Sequence, residues 1–234
     1  MNFVSVIIPC YNEKNTILIV LEKIHKLDFI DIEIIIIDDG SYDGTKEILK
    51  SREKENKFKN EKYIFHNKNL GKGSAIQSAQ KKIESDIVII QDADLEYDPN
   101  DYEILIKPFI DVNADVVFGS RFLGGNRYVR LHFFWHSLAN KILTFLCNLV
   151  SDLNMTDMET CFKMIKSSEL KNLNLIEKRF GIEPELTIKL AKKKLKFFEV
   201  PISYNGRSYE KGKKIRLKDA FRAVYCIFKY SIFK

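Results

Sequence analysis

Short, almost wholly apolar runs rich in β-branched residues punctuate the first half of this chain, at 4–9, 32–37 and 87–90. Each is too short for a core helix and lacks the alternation of a strand with one wet face. Each therefore reads as a strand buried on both faces, as in parallel sheets. Between them lie amphipathic stretches. Residues 13–27 predict a helix with Ile17, Val20, Leu21 and Ile24 on one face, and 43–55 and 74–83 predict two more. A short strand at 63–65, a helix at 101–110 and a strand at 116–118 continue the alternation. This βαβα order argues an α/β fold on a single doubly wound, mostly parallel sheet with flanking helices.

Beyond Arg121 the pattern changes. A glycine-rich loop at 123–126 leads to a long amphipathic helix over 131–150, a strand at 161–165, a helix at 183–193 and a strand at 196–204. A basic amphipathic helix ends the chain, with Leu217, Phe221, Val224, Phe228 and Ile232 on one stripe. Such a stripe suits either the membrane interface or packing on the domain. With no repeats and no linker, 1–234 is read as one domain, its first half running to about 121 and its second from about 122.

At 234 residues, 45% hydrophobic and 30% charged, the chain suits a soluble globular domain rather than a disordered or membrane-embedded one. No apolar run reaches the roughly 18 residues that span a bilayer, and Met1-Asn2 lead straight into a strand. The expectation is a cytoplasmic protein without signal peptide or transmembrane segment, peripheral at a membrane's inner face if it meets one. Cys10, Cys147, Cys161 and Cys226 are scattered and lack CxxC spacing, so they read as reduced core thiols. Net charge is +6, but residues 211–234 hold eight Lys or Arg against Asp219 alone. That suits an anionic surface.

The strand at 87–90 runs directly into Gln91-Asp92-Ala93-Asp94-Leu95-Glu96. The carboxyl end of a strand in an open α/β sheet is where ligands bind. Three carboxylates in five residues there call for a positive partner. Asp-x-Asp suits a hard divalent cation that shares its remaining ligands with substrate phosphates; alone, it reads more often as a solvated loop. The first strand ends in Pro9-Cys10-Tyr11-Asn12-Glu13, where Asn12 and Glu13 could simply cap a helix. The second ends in Asp38-Asp39-Gly40-Ser41-Tyr42-Asp43-Gly44-Thr45. This mimics a calcium loop until its twelfth position, which is Lys50 rather than the required Glu, so an EF-hand is excluded. A carboxylate at this strand end can instead bind a ribose or a base edge. No GxGxxG follows the first strand, and Gly71-Lys72-Gly73 lacks the Ser or Thr of a Walker loop. A bound metal would have to replace those phosphate cradles.

Taken in order, Pro9-x-Tyr11-Asn12-Glu13, Asp38-Asp39-Gly40-Ser41-x-Asp43-Gly44-Thr45, Gly71-Lys72-Gly73-x-Ala75, Asp92-Ala93-Asp94 and Gly119-Ser120-Arg121 resemble the family 2 inverting glycosyltransferases of GT-A fold. The likeness is to their dolichol-phosphate mannose synthase-like branch. It continues through Thr156-Asp157-Met158-Glu159-Thr160-Cys161-Phe162-Lys163, Glu183-Pro184-Glu185 and Glu199-Val200-Pro201-Ile202-x-Tyr204 to Arg207-Ser208-Tyr209-Glu210. The resemblance implies transfer of a hexose from a GDP- or UDP-sugar to a polyprenyl phosphate with Mg²⁺ or Mn²⁺. Pro9, Tyr11, Glu13, Asp39 and Lys72 would bind the nucleotide, and Asp94 and Glu96 the metal. Asp92, Asp94 and Arg121 would be catalytic, and Arg121, Arg127, Arg130, His132, His136 and Arg207 would meet donor or acceptor phosphate. A bare helix-flanking salt bridge is the structural alternative for Arg121.

Two departures from the family's pattern stand out. Glu96 stands where the synthases often have Gln, and His132 and His136 stand where they place an Arg and a Ser to grip the lipid phosphate. Two His at i, i+4 also form a weak zinc signal. A lipid phosphate is already ionised near neutral pH and needs orientation rather than a base. A saccharide hydroxyl would need one, and Asp157, Glu159 or Glu183 would be the candidates. A soluble saccharide acceptor and a non-catalytic nucleotide- or lipid-binding relative remain the alternatives. Nucleic-acid binding lacks any recognisable module.

Overall fold

A computed structural model describes residues 3–124, 133–206 and 217–232. Among these, seven strands form one sheet: β1 Phe3–Cys10, β2 Asp31–Asp38, β3 Glu61–Phe65, β4 Ile87–Ile90, β5 Val116–Ser120, β6 Lys163–Lys166 and β7 Phe197–Pro201, in the order β3-β2-β1-β4-β6-β5-β7. The helices are α1 Ile17–His25, α2 Thr45–Glu55, α3 Lys72–Gln80, α4 Tyr102–Asp111, α5 Phe134–Ser151, α6 Ser167–Lys171, α7 Ile182–Ala191 and α8 Leu217–Ile232.

The apolar runs behave as buried central strands must. All four residues of β4 are buried, and β1 and β2 bury Val4, Val6–Ile8 and Ile34–Ile37 on both faces. β1, β2, β3 and β4 run parallel, as do β5 and β7. β6 lies between β4 and β5 and opposes both. Its approach from the loop at 152–162 therefore lies at the end of the sheet where the other strands finish. The chain leaves β1 for β2 on one side and reaches β4 on the other. That puts the topological switch point between β1 and β4, where open α/β sheets hold ligands.

Several expected boundaries shift for tertiary reasons. α1 begins at Ile17 rather than Glu13, because residues 13–16 form a turn held by Thr16, whose hydroxyl bonds Glu13 Oε2 (2.7 Å) and the Ala93 carbonyl (2.9 Å). α3 begins at Lys72, two residues early. The strand expected at 161–165 is Lys163–Lys166, that at 196–204 shortens to Phe197–Pro201, and five-residue α6 had no sequence signal. All four cysteines are buried and unbridged, as expected.

α5 and α8 pack against each other and against α7. α8 buries Ala223, Cys226, Ile227 and Tyr230, a face offset from the expected stripe. Phe221 (71% exposed), Phe228 and Ile232 of that stripe point outward, as does Tyr225. α5 does likewise: Asn140, Leu143, Thr144 and Cys147 face in, while Phe134, Trp135 (75% exposed), Leu138, Ile142, Phe145 and Leu149 face out. No described helix is long and apolar enough to cross a membrane.

Candidate active site

The carboxyl-end turns of β1 and β2 are clasped together. Asn12, with a left-handed φ of 52°, donates its amide to Ser41 Oγ (2.9 Å), and its Oδ1 accepts from the Tyr42 amide (3.0 Å). The Glu13 and Lys14 amides donate to Thr45 Oγ1 (2.9 Å) and Asp43 Oδ2 (3.1 Å). Ser41, Asp43 and Thr45 thus satisfy backbone donors of the neighbouring turn, which is why short oxygen-bearing side chains recur there. These contacts hold Asp43 below the ordinary carboxylate range despite its partial burial.

Asp39, expected at the nucleoside, also organises a third turn. Its Oδ1 bonds His66 Nδ1 (2.7 Å) and the Leu70 amide (2.9 Å), and its Oδ2 takes the Gly71 amide (2.7 Å). The turn then passes close beneath the 177–178 backbone. Gly71 has φ +100°, and a Cβ there would lie 2.4 Å from the Lys178 carbonyl oxygen; at Gly73 it would lie 2.0 Å from that of Glu177. Only glycine allows that approach. It delivers Lys72, at the first turn of α3, to the floor of the site.

A cleft of about 970 Å³ opens along this edge. Pro9, Tyr11, Asn12 and Glu13 line it from β1, Asp39 and Tyr42 from β2, and Asn69, Gly71 and Lys72 from β3. Asp92, Asp94, Glu96 and Tyr97 come from β4, and Arg121 from β5. Glu159 and Cys161 precede β6, Arg179 and Glu183 flank the start of α7, and Tyr204, Lys218 and Asp219 close the far side. The expected nucleotide, metal and catalytic residues therefore share one cavity. Tyr11 meets Tyr42 edge-on at 6.1 Å, giving the β1–β2 end an aromatic wall.

Two charged assemblies form the floor. Lys72 Nζ sits 2.9 Å from Asp92 Oδ1 and 3.0 Å from Glu183 Oε1, and wholly buried Lys163 bonds Glu183 Oε2. Burial opposes the Lys72 charge, but the carboxylates of Asp92 and Glu183 more than offset it and keep the ammonium firmly protonated. On the other side, Arg121 donates through Nε and Nη2 to Asp157, 2.7 Å each, while its amide reaches the same carboxylate at 3.0 Å. Asn140 of α5 adds a fourth bond to Asp157, 2.7 Å long. Burial alone would raise the Asp157 pKa; Arg121 lowers it instead. The salt-bridge alternative for Arg121 is thus present in the fold, and one edge of its fork is engaged, although the residue still lines the cleft.

The acidic turn has its own supports. Asp94 Oδ1 accepts the Glu96 amide (3.0 Å), and Glu96 Oε2 accepts the Tyr204 hydroxyl (2.7 Å). Tyr204 lies under Arg121, whose guanidinium is 5.1 Å from the ring centre. No cluster of three or more His, Cys, Asp or Glu with metal-site geometry occurs among the described residues. The acidic turn itself offers a cation one or two carboxylates, Asp94 and Glu96. Such an all-oxygen, incomplete set fits Mg²⁺ or Mn²⁺, which keep waters and take up substrate phosphates. Of the paired histidines, His136 packs against Phe133 at the start of α5, outside the cleft lining, and His132 lies outside the described residues. Arg127, Arg130 and Arg207 also lie outside them.

Of the three carboxyls considered as bases, Asp157 is committed to Arg121 and Glu183 to two lysines. Glu159 differs. Its Oε1 is buried without a hydrogen-bond partner among the described residues, and burial followed by repulsion from Glu183 raises its pKa to about 7. Sequence reading quoted Lys163 and Tyr204 within motifs without giving them a role and gave Asn140 none, since their roles arise from partners 17 to 108 residues away.

Known proteins complete the picture. The UDP-N-acetylglucosamine–dolichyl-phosphate N-acetylglucosaminyltransferase of Methanococcus voltae is 30% identical over 237 residues, covering 95% of this chain and 93% of that enzyme. The undecaprenyl-phosphate 4-deoxy-4-formamido-L-arabinose transferase of Edwardsiella ictaluri is 28% identical over 216 residues, 91% of this chain and 63% of that protein. Glucosyl-3-phosphoglycerate synthase of Mycobacterium tuberculosis, crystallised with Mn²⁺, UDP and phosphoglyceric acid, aligns with a TM-score of 0.73 at 16% identity, covering 100% of this chain and 80% of that one. At that identity the likeness speaks for the GT-A fold alone. The family model for glycosyl transferase family 2 matches residues 5–173, and the chain belongs to that family.

Proposed function

We propose that the cleft binds a nucleoside diphosphate sugar, GDP- or UDP-linked, and transfers its hexose with inversion to the phosphate of a polyprenyl lipid. The observation that carries this reading is the convergence of Asp92, Asp94 and Glu96 with Lys72 and Arg121 at the carboxyl ends of β3, β4 and β5. Pro9, Tyr11, Glu13 and Asp39 would face the nucleoside. Asp94 and Glu96 would hold Mg²⁺ or Mn²⁺, which supplies Lewis acidity to the departing diphosphate. Arg121 would add charge beside it, its orientation fixed by Asp157.

A phosphate acceptor fits the charge state of the floor. It arrives ionised and needs no base, and of the three candidate carboxyls Asp157 and Glu183 are committed to ion pairs, leaving Glu159 alone uncommitted. The named acceptors of the Methanococcus and Edwardsiella relatives are polyprenyl phosphates, which supports the same choice. The outward aromatic faces of α5 and α8, with Lys218 and Asp219 at the head of α8 lining the cleft, suit an enzyme peripheral at a lipid surface.

The test offers labelled UDP- and GDP-hexoses with undecaprenyl phosphate in vesicles or with a soluble saccharide. The expected outcome is Mn²⁺- or Mg²⁺-dependent label in the lipid phase from one nucleotide series. Label confined to the saccharide, or transfer undiminished in EDTA, would overturn the acceptor or the metal respectively. Trp135 is the sole tryptophan and is exposed on α5, so a blue shift of its emission with vesicles reports membrane contact directly.

A further inference from the structure

Glu159 lines the cleft between the two charged assemblies, yet neither gives its Oε1 a bond. Arg121 spends Nε and Nη2 on Asp157, and Lys163 donates to the Thr160 carbonyl (2.7 Å) and to Glu183. Lys72 lies between Asp92 and Glu183. Glu159 Oε1 is left shut off from bulk water with no donor among the described residues. A buried carboxyl oxygen without a donor destabilises a fold, and an apolar side chain would fill the same space without that penalty. A carboxyl here is explained by a donor that arrives with the ligand.

The chemistry of that donor follows from the surroundings. Glu183 and Asp157 place negative charge beside Glu159, and the nearby Lys163 and Arg121 are already paired with them, so this wall has no excess of positive charge to hold a phosphate. The nucleoside end of the cleft lies at Pro9–Glu13, Asp39 and Tyr42, and the diphosphate belongs with Asp94, Glu96 and Arg121. What continues past the diphosphate is a neutral, hydroxyl-bearing ring.

We infer that Glu159 is a sugar-binding residue, its carboxyl accepting a hydrogen bond from a ring hydroxyl of the transferred hexose. This rests on the nucleotide-sugar reading above. It adds the protein group that grips the sugar rather than the nucleotide. A carboxyl that titrates near 7 accepts such a bond in either protonation state and can return one when protonated.

The experiment measures, by calorimetry with Mn²⁺, affinities for UDP against UDP-N-acetylglucosamine and for GDP against GDP-mannose, in wild type, Glu159→Gln and Glu159→Leu. The expected result is nucleoside diphosphate affinity within about twofold of wild type in both variants. The affinity advantage of the sugar-bearing donor should fall by about tenfold or more in Glu159→Leu and by less in Glu159→Gln. Equal changes for nucleotide and nucleotide sugar would overturn the inference. So would unchanged donor affinity with lost turnover, which would mark Glu159 as a base toward the acceptor. Should either variant fail to fold, wild type alone decides with deoxy-sugar donors. At least one deoxy position must weaken binding about tenfold, and a series binding like the parent would overturn the role. Wild type that binds neither nucleotide pair would sink the nucleotide-sugar reading itself, an outcome distinct from every failure of Glu159.

Discussion

The two halves of the cleft are built by different physics. On the β1–β2–β3 side the carboxylates bond mainly to neighbouring turns. Asp39 takes the Leu70 and Gly71 amides, and Asp43 takes Thr45 and the Lys14 amide. On the β4–β5–β6 side, charges from distant parts of the chain hold one another: Arg121 with Asp157, and Lys72 and Lys163 with Glu183. Backbone-held acids form a pre-organised pocket from local sequence. Interior ion pairs fix orientation at high stakes, because removing one partner strands the other. The acidic turn of β4 sits at the seam, with Asp92 reaching into the ionic floor while Asp94 folds back on the Glu96 amide.

The largest expected effect tests that seam. Asp94→Ala should lower turnover about a thousandfold or more, roughly 4 kcal/mol, through loss of a metal ligand. Its unfolding free energy should stay within about 0.5 kcal/mol of wild type, because clustered carboxylates repel. A large stability loss in urea unfolding would place Asp94 among the structural ion pairs and break the distinction. Asp157→Ala is the opposite case. It strands a mostly buried guanidinium and should cost about 3–5 kcal/mol of stability. A loss below about 1 kcal/mol would mean that Arg121 finds another partner, and its orientation would then owe nothing to Asp157.

Glu159 sharpens the comparison through pH. Its folded pKa is raised from 4.5 to about 7, so the native state holds a proton that the unfolded chain has released. The contribution is fully favourable below pH 4.5 and is lost as pH rises toward 7, a change of about 3 kcal/mol at 1.36 kcal/mol per unit. Glu159→Gln removes this dependence. The variant should gain stability over wild type as pH rises from 4.5 to 8, and the two curves should draw together in acid. Parallel curves across that range would show that Glu159 finds a partner in solution.

Legibility in the sequence follows the same divide. Ile87–Ile90 was readable to the residue because a strand buried on both faces needs an unbroken apolar run. The motifs at Asp38–Thr45 and Asp92–Glu96 marked the cleft because local turns carry local signatures. The direction of β6 was not readable, since four residues have no intrinsic sense and pairing with β4 and β5 decides it. Nor was the Arg121–Asp157 pair, 36 residues apart. α8 shows a further limit. Its sequence is apolar on more than one side, so periodicity found a stripe through Phe221, Phe228 and Ile232. Packing chose the neighbouring face of Ala223, Cys226, Ile227 and Tyr230.

The smallest expected effect concerns how α8 is held. Arg222 forks onto Glu177 through Nε (3.0 Å) and Nη2 (2.8 Å), which resembles the Arg121–Asp157 pair in geometry. Its setting is different. Half of the Arg222 side chain is exposed, and Glu177 keeps Tyr230 Oη (3.0 Å) and Lys229 (3.4 Å) if the arginine is removed. Water screens the pair, and no charge is stranded. Arg222→Ala should therefore cost at most about 1 kcal/mol, and the difference from wild type should shrink in about 0.5 M NaCl as the Debye length falls to a few Å. Thermal unfolding at two salt concentrations measures both. A salt-independent loss near that of Asp157→Ala would mean that the fork geometry, rather than burial, sets the worth of an ion pair in this fold, and the contrast between its two sides would fail.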